Sequence, residues 1–216
     1  MRTHTPIAIA ALLGAAGIAQ ASLVSTFGFT DLNASWDGQT FHALSLGSLP
    51  TGGDVTDHTG APSSATFESG FIGVQNLADV TFRMDLSNIT ANSADATSGR
   101  IVIRDQDNDV LSGSFEGTWS YQFGFGFFDG YISSASYNDA GNGLFEGTDG
   151  TGGWATPDGE YIGAISFLVE MPEWFSDAAN IELLNASADG MLVTPTPSSI
   201  AMLGLGGLLA SRRRRG

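Results

Sequence analysis

The chain has no cysteine and no lysine. The absence of cysteine excludes disulfide bonds and thiolate metal sites, so the core must hold the fold. Between residues 22 and 194 the sequence carries three arginines against 23 aspartates and glutamates, which gives a net charge of −20. Such an acidic body repels nucleic-acid phosphates and anionic lipid head groups, and we therefore expect no nucleic-acid partner.

Enzyme signatures are also missing from the sequence. It contains no Gly-x-Ser-x-Gly elbow, no His-Glu-x-x-His motif, no P-loop and no dinucleotide fingerprint. His42 and His58 are the imidazoles of the body, and no sequence pattern pairs them with a nucleophile. The sequence therefore predicts a protein that is not an enzyme. A secreted glycoside hydrolase that uses a carboxylate pair such as Glu170 and Glu173 is the least favoured alternative.

The first 21 residues have the layout of a secretory signal peptide. Arg2 supplies a positive start, Ile7–Ile18 is an apolar run, and Ala19-Gln20-Ala21 fits the small-x-small cleavage pattern. We expect the export machinery to deliver the chain across the membrane and the signal to be removed after Ala21.

The body of the chain alternates apolar and polar residues with a period of two and contains no amphipathic helix. In residues 80–87, for example, Val80, Phe82 and Met84 share one face of a predicted strand. Roughly ten such segments, separated by glycine-, asparagine- and aspartate-rich turns, are typical of an all-β fold. The sequence predicts a single antiparallel β-sandwich of jelly-roll type over residues 22–192.

Residues 110–128 are predicted to form one long strand with aromatic side chains along one face. The aromatic residues occupy odd positions: Phe115, Trp119, Tyr121, Phe123, Phe125 and Phe127. This stripe is favoured as the inner face of a sheet, and a platform for stacking sugar rings is the alternative. Trp154 and Trp174, in or near predicted loops, are better candidates for exposed sugar-binding rings, although packing under a loop is the favoured interpretation of each.

A run of carboxylates between two predicted strands has the spacing of a calcium-binding loop. Asp105, Asp107 and Asp109 stand at loop positions 1, 3 and 5, and Glu116 stands at position 12, as the ligands of an EF-hand do. Val110 replaces the glycine of position 6, and the flanking segments are strand-like rather than helical. Two interpretations stay open: a turn held by local hydrogen bonds, or a turn that also binds Ca²⁺ as a cofactor.

Residues 193–216 consist of three parts. The motif Pro195-Thr196-Pro197 comes first, a glycine-rich apolar segment from Ile200 to Ala210 follows, and the chain closes with Arg212, Arg213, Arg214 and Arg215. Residues 198–211 would form a helix about 21 Å long, shorter than the hydrocarbon core of about 30 Å. We expect an apolar helix that is held only briefly in the membrane, with its arginines on the cytoplasmic side.

These three parts resemble the PEP-CTERM sorting signal of exported bacterial proteins. Thr196 stands where the Pro-Glu-Pro motif of that family has glutamate. The resemblance implies cleavage near the proline motif by an exosortase, a membrane-embedded cysteine protease, and it implies an association with exopolysaccharide. It covers residues 193–216 only, so it implies nothing about the fold of the body.

The sequence thus predicts a signal peptide over residues 1–21, a β-sandwich domain over residues 22–192 and a PEP-CTERM-like sorting tail over residues 193–216. The predicted function is that of an exported cell-surface or extracellular-matrix protein with a structural or adhesive role. Its expected partners are the export machinery, an exosortase-like protease and exopolysaccharide. The alternative function is that of a carbohydrate-binding module, with Ca²⁺ assisting the binding.

Overall fold

A computed structural model describes residues 21–45, 51–67, 80–148 and 150–195 of the protein. In these residues it shows β-strands and no helix. The strands are β1 (Leu23–Trp36), β2 (Thr40–Leu44), β3 (Gly52–Asp57), β4 (Ser63–Phe67), β5 (Val80–Ser87), β6 (Ser93–Arg104), β7 (Val110–Gln122), β8 (Phe125–Asn138), β9 (Leu144–Glu146), β10 (Gly152–Ala155), β11 (Tyr161–Glu170) and β12 (Ile181–Val193).

Eight of these strands close into an antiparallel barrel in the order β1, β2, β5, β6, β7, β8, β11, β12. The barrel closes because β12 pairs with β1 as well as with β11. The prediction of an all-β fold is confirmed, but the prediction of a sandwich is wrong, since one sheet curls onto itself instead of two sheets facing each other. Alternation of apolar and polar residues is the same in both architectures, and only the pairing of the first strand with the last distinguishes them.

One edge of strand β1 pairs with β12, and the other edge pairs with two different strands. Its first half, Ser25–Thr30, pairs with β3, and its second half, Asn33–Trp36, pairs with β2. Asp31 lies between the two halves with a positive φ of 56°, and the register with β12 shifts there as it does at a β-bulge. The hairpin of β3 and β4 therefore extends beside the barrel, and β9 and β10 form a separate two-stranded sheet.

Aromatic side chains fill the interior of the barrel. The ring of Phe167 lies at the centre of this cluster, with centroid distances of 5.0 to 6.4 Å to the five neighbouring rings of Phe41, Phe82, Phe115, Trp119 and Phe128. An eight-stranded barrel has an interior just wide enough for side chains to fill. The interior is thus a packed core, and we expect a binding site on the outer wall.

The single long aromatic strand predicted over the odd positions is wrong, because the chain reverses at Phe123 and Gly124. These residues have positive φ angles of 54° and 84°, as the two central residues of a tight hairpin turn do. A reversal of two residues changes which positions face inward. Phe115 on β7 is consequently buried, whereas Phe125 and Phe127 on β8 are exposed on the outer wall.

One end of the barrel, which we call the aromatic end, is closed by the loop between β11 and β12. Trp174 and Phe175 of this loop are buried. The Trp174 ring stacks on Tyr121 at 5.1 Å, and its Nε1–H donates a hydrogen bond of 2.7 Å to the carbonyl of Thr90. The Phe175 ring lies 5.3 Å from the ring of Trp36.

The opposite end, which we call the carboxylate end, carries the turn between β6 and β7 and the segment between β8 and β11. Phe145 on β9 is buried there, and its ring contacts those of Phe67, Tyr137 and Trp154. The Tyr137 hydroxyl hydrogen-bonds to Ser25 Oγ at 2.9 Å, which ties β8 to the start of β1. The β6–β7 turn packs beside this group through the carboxylates that are described below.

Ser22–Thr194 forms one compact unit, which contains every strand described above. The structure describes Ala21 of the predicted signal peptide and residues 193–195 of the predicted tail, and the predicted apolar helix lies outside the described residues. Within the described part of the chain, no helix has the length and the hydrophobicity needed to cross a membrane.

Candidate functional site

The predicted calcium loop divides into a buried turn and a distant strand residue. Asp105, Asp107 and Asp109 lie together in the turn between β6 and β7. Glu116 lies on β7 in register with Tyr131 of β8. At about 3.3 Å per residue, the extended strand places Glu116 roughly 20 Å beyond the turn. The structure therefore does not bring the twelfth-position carboxylate to the other three.

The two buried carboxylates of the turn act as hydrogen-bond acceptors for backbone amides. Asp105 Oδ1 accepts from the amides of Asp107 at 2.9 Å and Asp109 at 2.7 Å, and its Oδ2 accepts from the amide of Glu146 at 3.2 Å. Asp109 accepts through Oδ1 and Oδ2 from the amides of Gly141 and Gly143, both at 2.8 Å. These bonds tie the β6–β7 turn to the segment between β8 and β9.

The close approach of the two segments explains a glycine. A Cβ atom on Gly141 would lie 2.5 Å from the carbonyl oxygen of Asp107, so only glycine fits there. The side-chain amide of Asn142 also donates a hydrogen bond to Asp107 Oδ2. The two turns, which are separate patterns in the sequence, are thus one hydrogen-bonded unit.

This arrangement does not fit a calcium site. Asp105 and Asp109 are fully buried, and all four of their oxygens already accept amide hydrogen bonds. Burial raises the pKa of Asp105 above its ordinary value, and the amide hydrogen bonds offset part of that shift. No group of three or more His, Asp or Glu side chains in the described residues is placed to hold a metal ion. The geometry gives these carboxylates a structural role.

The two tryptophans that lie in or near predicted loops are both buried. Trp174 is 0% exposed and Trp154 is 9% exposed. Trp154 packs on Phe145 at the carboxylate end, and Trp174 closes the aromatic end. Both tryptophans lie near loops that fold over the ends of the barrel, where a large ring covers the core. The favoured interpretation of both rings, packing under a loop, is therefore confirmed, and the alternative of exposed sugar-binding faces is wrong.

Exposed rings lie instead on β8 and on the turn before it. Phe123 at the tip of the β7–β8 hairpin is 96% exposed, Phe125 and Phe127 are each 41% exposed, and Tyr131 is 53% exposed. Leu168 of β11, which pairs with Phe127 across the ladder, is 45% exposed. We call these five residues the outer aromatic patch. Solvent-exposed large side chains collected on one wall are typical of a binding surface.

Polar side chains alternate with the rings of the outer aromatic patch. Asp129 lies between Phe127 and Tyr131 on the outer face of β8, and Glu170 pairs with Phe125 from β11. A groove of about 520 Å³ runs beside Phe123 and Phe125, and its other walls include Glu170, Glu182 and Asn185. Rings and hydrogen-bonding groups are therefore offered side by side, as a ligand with apolar faces and hydroxyl edges requires.

The outer aromatic patch could be found from the sequence only by recognising the turn. Gly124 was the single sign of a reversal, since Phe123 is a residue that seldom adopts a positive φ. Once Phe123 and Gly124 are placed in a turn, the odd positions of β8 follow on the outer wall. The remaining predicted site residues, namely Ala19, Thr196, Pro197, Arg212, Arg213, Arg214 and Arg215, lie outside the described residues.

Fold and surface together define a filled, closed all-β barrel that presents rings on its outer wall. No protein-family model, no curated protein and no solved structure matches this chain. The function is therefore inferred from the surface and from the sequence of the chain itself.

Proposed function

We propose that this chain is an exported cell-surface or extracellular-matrix protein of adhesive type, which binds polysaccharide through the outer aromatic patch. The observation that carries the binding part is the exposure of Phe123, Phe125, Phe127 and Tyr131 on one wall of the barrel. Burying four aromatic rings against a ligand is favourable, whereas leaving them in water is costly.

Polysaccharide is the occupant that the surroundings of the patch favour. Asp129 and Glu170 interrupt the rings, so a continuous apolar partner such as a lipid surface would bury carboxylates without compensation. The net charge of −20 between residues 22 and 194 likewise opposes anionic lipid. Sugar chains present apolar ring faces together with hydroxyl groups that donate hydrogen bonds to carboxylates.

Export and sorting are proposed from the sequence alone. The signal-like residues 1–21 and the tail with its proline motif and arginine cluster support transient retention in the membrane, followed by cleavage by an exosortase-like protease. The intact mass of the protein recovered from cells and from medium tests both cleavages. Secreted protein that keeps Arg212–Arg215 would exclude this sorting route.

Polysaccharide binding is tested by affinity electrophoresis of the full chain through gels that contain neutral or acidic polysaccharides. The Phe125→Ala/Phe127→Ala variant is expected to lose about ten-fold in affinity. Leu144→Ala is the matched control, because Leu144 is 39% exposed at the carboxylate end, away from the patch. Equal retardation of all three proteins would overturn the proposal, and so would a patch that only mediates self-association in sedimentation velocity.

A further inference from the structure

The few cationic side chains of the acidic body are not spread evenly over it. Its three arginines are Arg83, Arg100 and Arg104. Arg83 and Arg100 are directly opposite each other on β5 and β6, and His42 on β2 is directly opposite Arg83 on the other side. Like charges at directly opposed positions repel each other across a sheet. Two arginines at opposed positions in a body of net charge −20 indicate that something other than sheet stability favours them.

The two arginines border a groove that two β-bulges open in the outer wall. On β6 the register with β7 shifts between Ala96 and Gly99, and on β8 the extra residue is Ser133, where the register of β7 shifts between Ser114 and Phe115. The groove has a volume of about 530 Å³ and is lined by Arg83, Asp85, Ser98, Arg100, Ser114 and Glu116, among others. Bulges re-aim side chains in this way beside many binding sites.

The side chain of Arg83 has an anionic partner on the outer wall. Its guanidinium lies 3.5 Å from Asp85, whose two oxygens accept hydrogen bonds from Thr40 Oγ1 at 2.9 Å and Ser98 Oγ at 3.0 Å. The hydroxyl of Thr40, then that of Ser98 and the charge of Arg83, lower the pKa of Asp85 below its ordinary value. Asp85 is therefore an anion fixed at the edge of the groove, and Arg83 pairs with it at the surface.

Arg100 has no such partner. Its side chain is exposed, and in the part of the chain that the structure describes it makes no hydrogen bond and no ion pair. The planar guanidinium offers several N–H donors in a geometry that suits the oxygens of a carboxylate, sulfate or phosphate group. The hydroxyl of Ser114 stands beside it as a further donor in the same groove, whereas the hydroxyl of Ser98 already donates to Asp85.

We propose that this groove binds an oxyanion, which is a carboxylate, sulfate or phosphate group carried by a sugar or free in solution, and that Arg100 and Arg83 are its cationic ligands. Glu116 opposes the oxyanion from the same groove. The negative charges of Glu116 and Asp85 make binding weak, and they favour a ligand that contacts the arginines without breaking the Arg83–Asp85 ion pair. Glu116 of this groove is in register with Tyr131 of the outer aromatic patch, so the two surfaces adjoin. The arginines belong to the groove alone, and the proposal holds whether or not the patch binds polysaccharide.

The test titrates the full chain in low-salt buffer with sodium sulfate, sodium phosphate or sodium glucuronate, against sodium chloride at equal ionic strength. Binding is followed through the Nε–H signals of the arginine side chains in heteronuclear NMR spectra. Signals of Arg83 and Arg100 are expected to shift together, well before those of Arg104. Parallel shifts of all arginines, including Arg212–Arg215 of the tail, would mean general charge attraction and would overturn the proposal. The three anions distinguish a sugar acid from a free inorganic ion.

Two variants with opposite expected effects on affinity test the roles of Arg100 and Glu116. Arg100→Gln is expected to weaken binding about ten-fold or more, because a charge-assisted contact is lost. Glu116→Gln is expected to strengthen binding about three-fold, because a like charge is removed from the groove. Arg104→Gln on the same strand is the control, since Arg104 hydrogen-bonds to Asn108 outside the groove. Unchanged affinity in both Arg100→Gln and Glu116→Gln would sink the idea, and thermal melts of each variant confirm folding.

Discussion

At the aromatic end, Trp174 and Phe175 cover the core with ring area, whereas at the carboxylate end Asp105 and Asp109 gather backbone amides from two segments. Ring packing is non-directional and tolerates small shifts, because it depends on the area removed from water. The amide network depends on the position of each donor, and losing one acceptor leaves donors buried without partners. Both ends of the barrel are therefore closed, one mainly by the burial of rings and the other mainly by hydrogen bonds to carboxylates.

The largest effect is expected at the aromatic end. Trp174→Ala removes a fully buried ring and the donor to the Thr90 carbonyl, which should cost about 3–5 kcal/mol in the free energy of unfolding. Urea-induced unfolding measures the change. Phe123→Ala at the same end is the control and should change stability by less than about 0.5 kcal/mol, since that ring is 96% exposed. A similar loss in both variants would contradict the division between a buried and an exposed set of rings.

A smaller but specific loss is expected at the carboxylate end. Asp109→Ala leaves the amides of Gly141 and Gly143 without their acceptor, which should cost about 2–3 kcal/mol. Asp107→Ala in the same turn should cost less than about 1 kcal/mol, because the side chain of Asp107 accepts an exposed hydrogen bond from the side-chain amide of Asn142. Thermal unfolding of both variants checks the ranking. The reverse ranking would show that the buried network is not what holds the turn.

The buried hydroxyl of Tyr137 at the carboxylate end should make the free energy of unfolding depend on pH in the alkaline range. Tyr137→Phe loses the hydrogen bond to Ser25 and should cost about 1 kcal/mol at neutral pH. Burial raises the pKa of Tyr137 above the ordinary value of 10.0. Since the folded pKa lies above the unfolded one, the stabilisation is complete below pH 10.0 and is lost as the pH rises beyond it.

The Tyr137→Phe variant should therefore lose less stability than the wild type between neutral pH and strongly alkaline pH. Unfolding curves at both pH values provide the comparison. Tyr131→Phe is the control, because Tyr131 is exposed and should leave the pH profile unchanged. An identical alkaline loss in the wild type and in Tyr137→Phe would rule out this role for the buried hydroxyl.

The smallest effect is expected from calcium. The oxygens of Asp105 and Asp109 are committed to amides, so millimolar Ca²⁺ should not raise the melting temperature of the chain above its value in chelator. Magnesium at equal ionic strength is the control for general screening of the acidic surface. A rise with Ca²⁺ alone, absent in Asp107→Ala, would restore the calcium-binding interpretation of the turn.

Local patterns in the sequence predicted the strands more successfully than the way they pair. Alternation over residues 80–87 predicted β5 with Val80, Phe82 and Met84 buried, as observed. Alternation carries no information on the partner of a strand, so the pairing of β1 with β12 that closes the barrel was not predicted. The turn at Phe123 and Gly124 was missed because its first residue is not one that a hairpin turn favours.

For the candidate sites, the sequence predicted the burial of the two tryptophans under loops but not the partners of the carboxylate turn. Trp154 and Trp174 lie near loops, and those loops fold back over the barrel ends and bury both rings. The Asp105–Asp109 turn was correctly placed between two strands, and its partners, Gly141 and Gly143, are too distant in sequence for a local pattern to reveal. The alignment of Arg83 with Arg100 likewise depends on the register of β5 and β6, which only the folded chain shows.

Under the proposed adhesive role, the direction of strand β12 has a mechanical consequence. The chain leaves the barrel through Val193 at the carboxylate end, while Phe127 and Leu168 of the outer aromatic patch lie toward the aromatic end. A pull between a bound polymer and an attachment beyond Val193 therefore runs along the strands. Hydrogen bonds of antiparallel ladders lie across the strands, so this force loads the β8–β11 and β11–β12 ladders in shear, with many bonds sharing the tension at once.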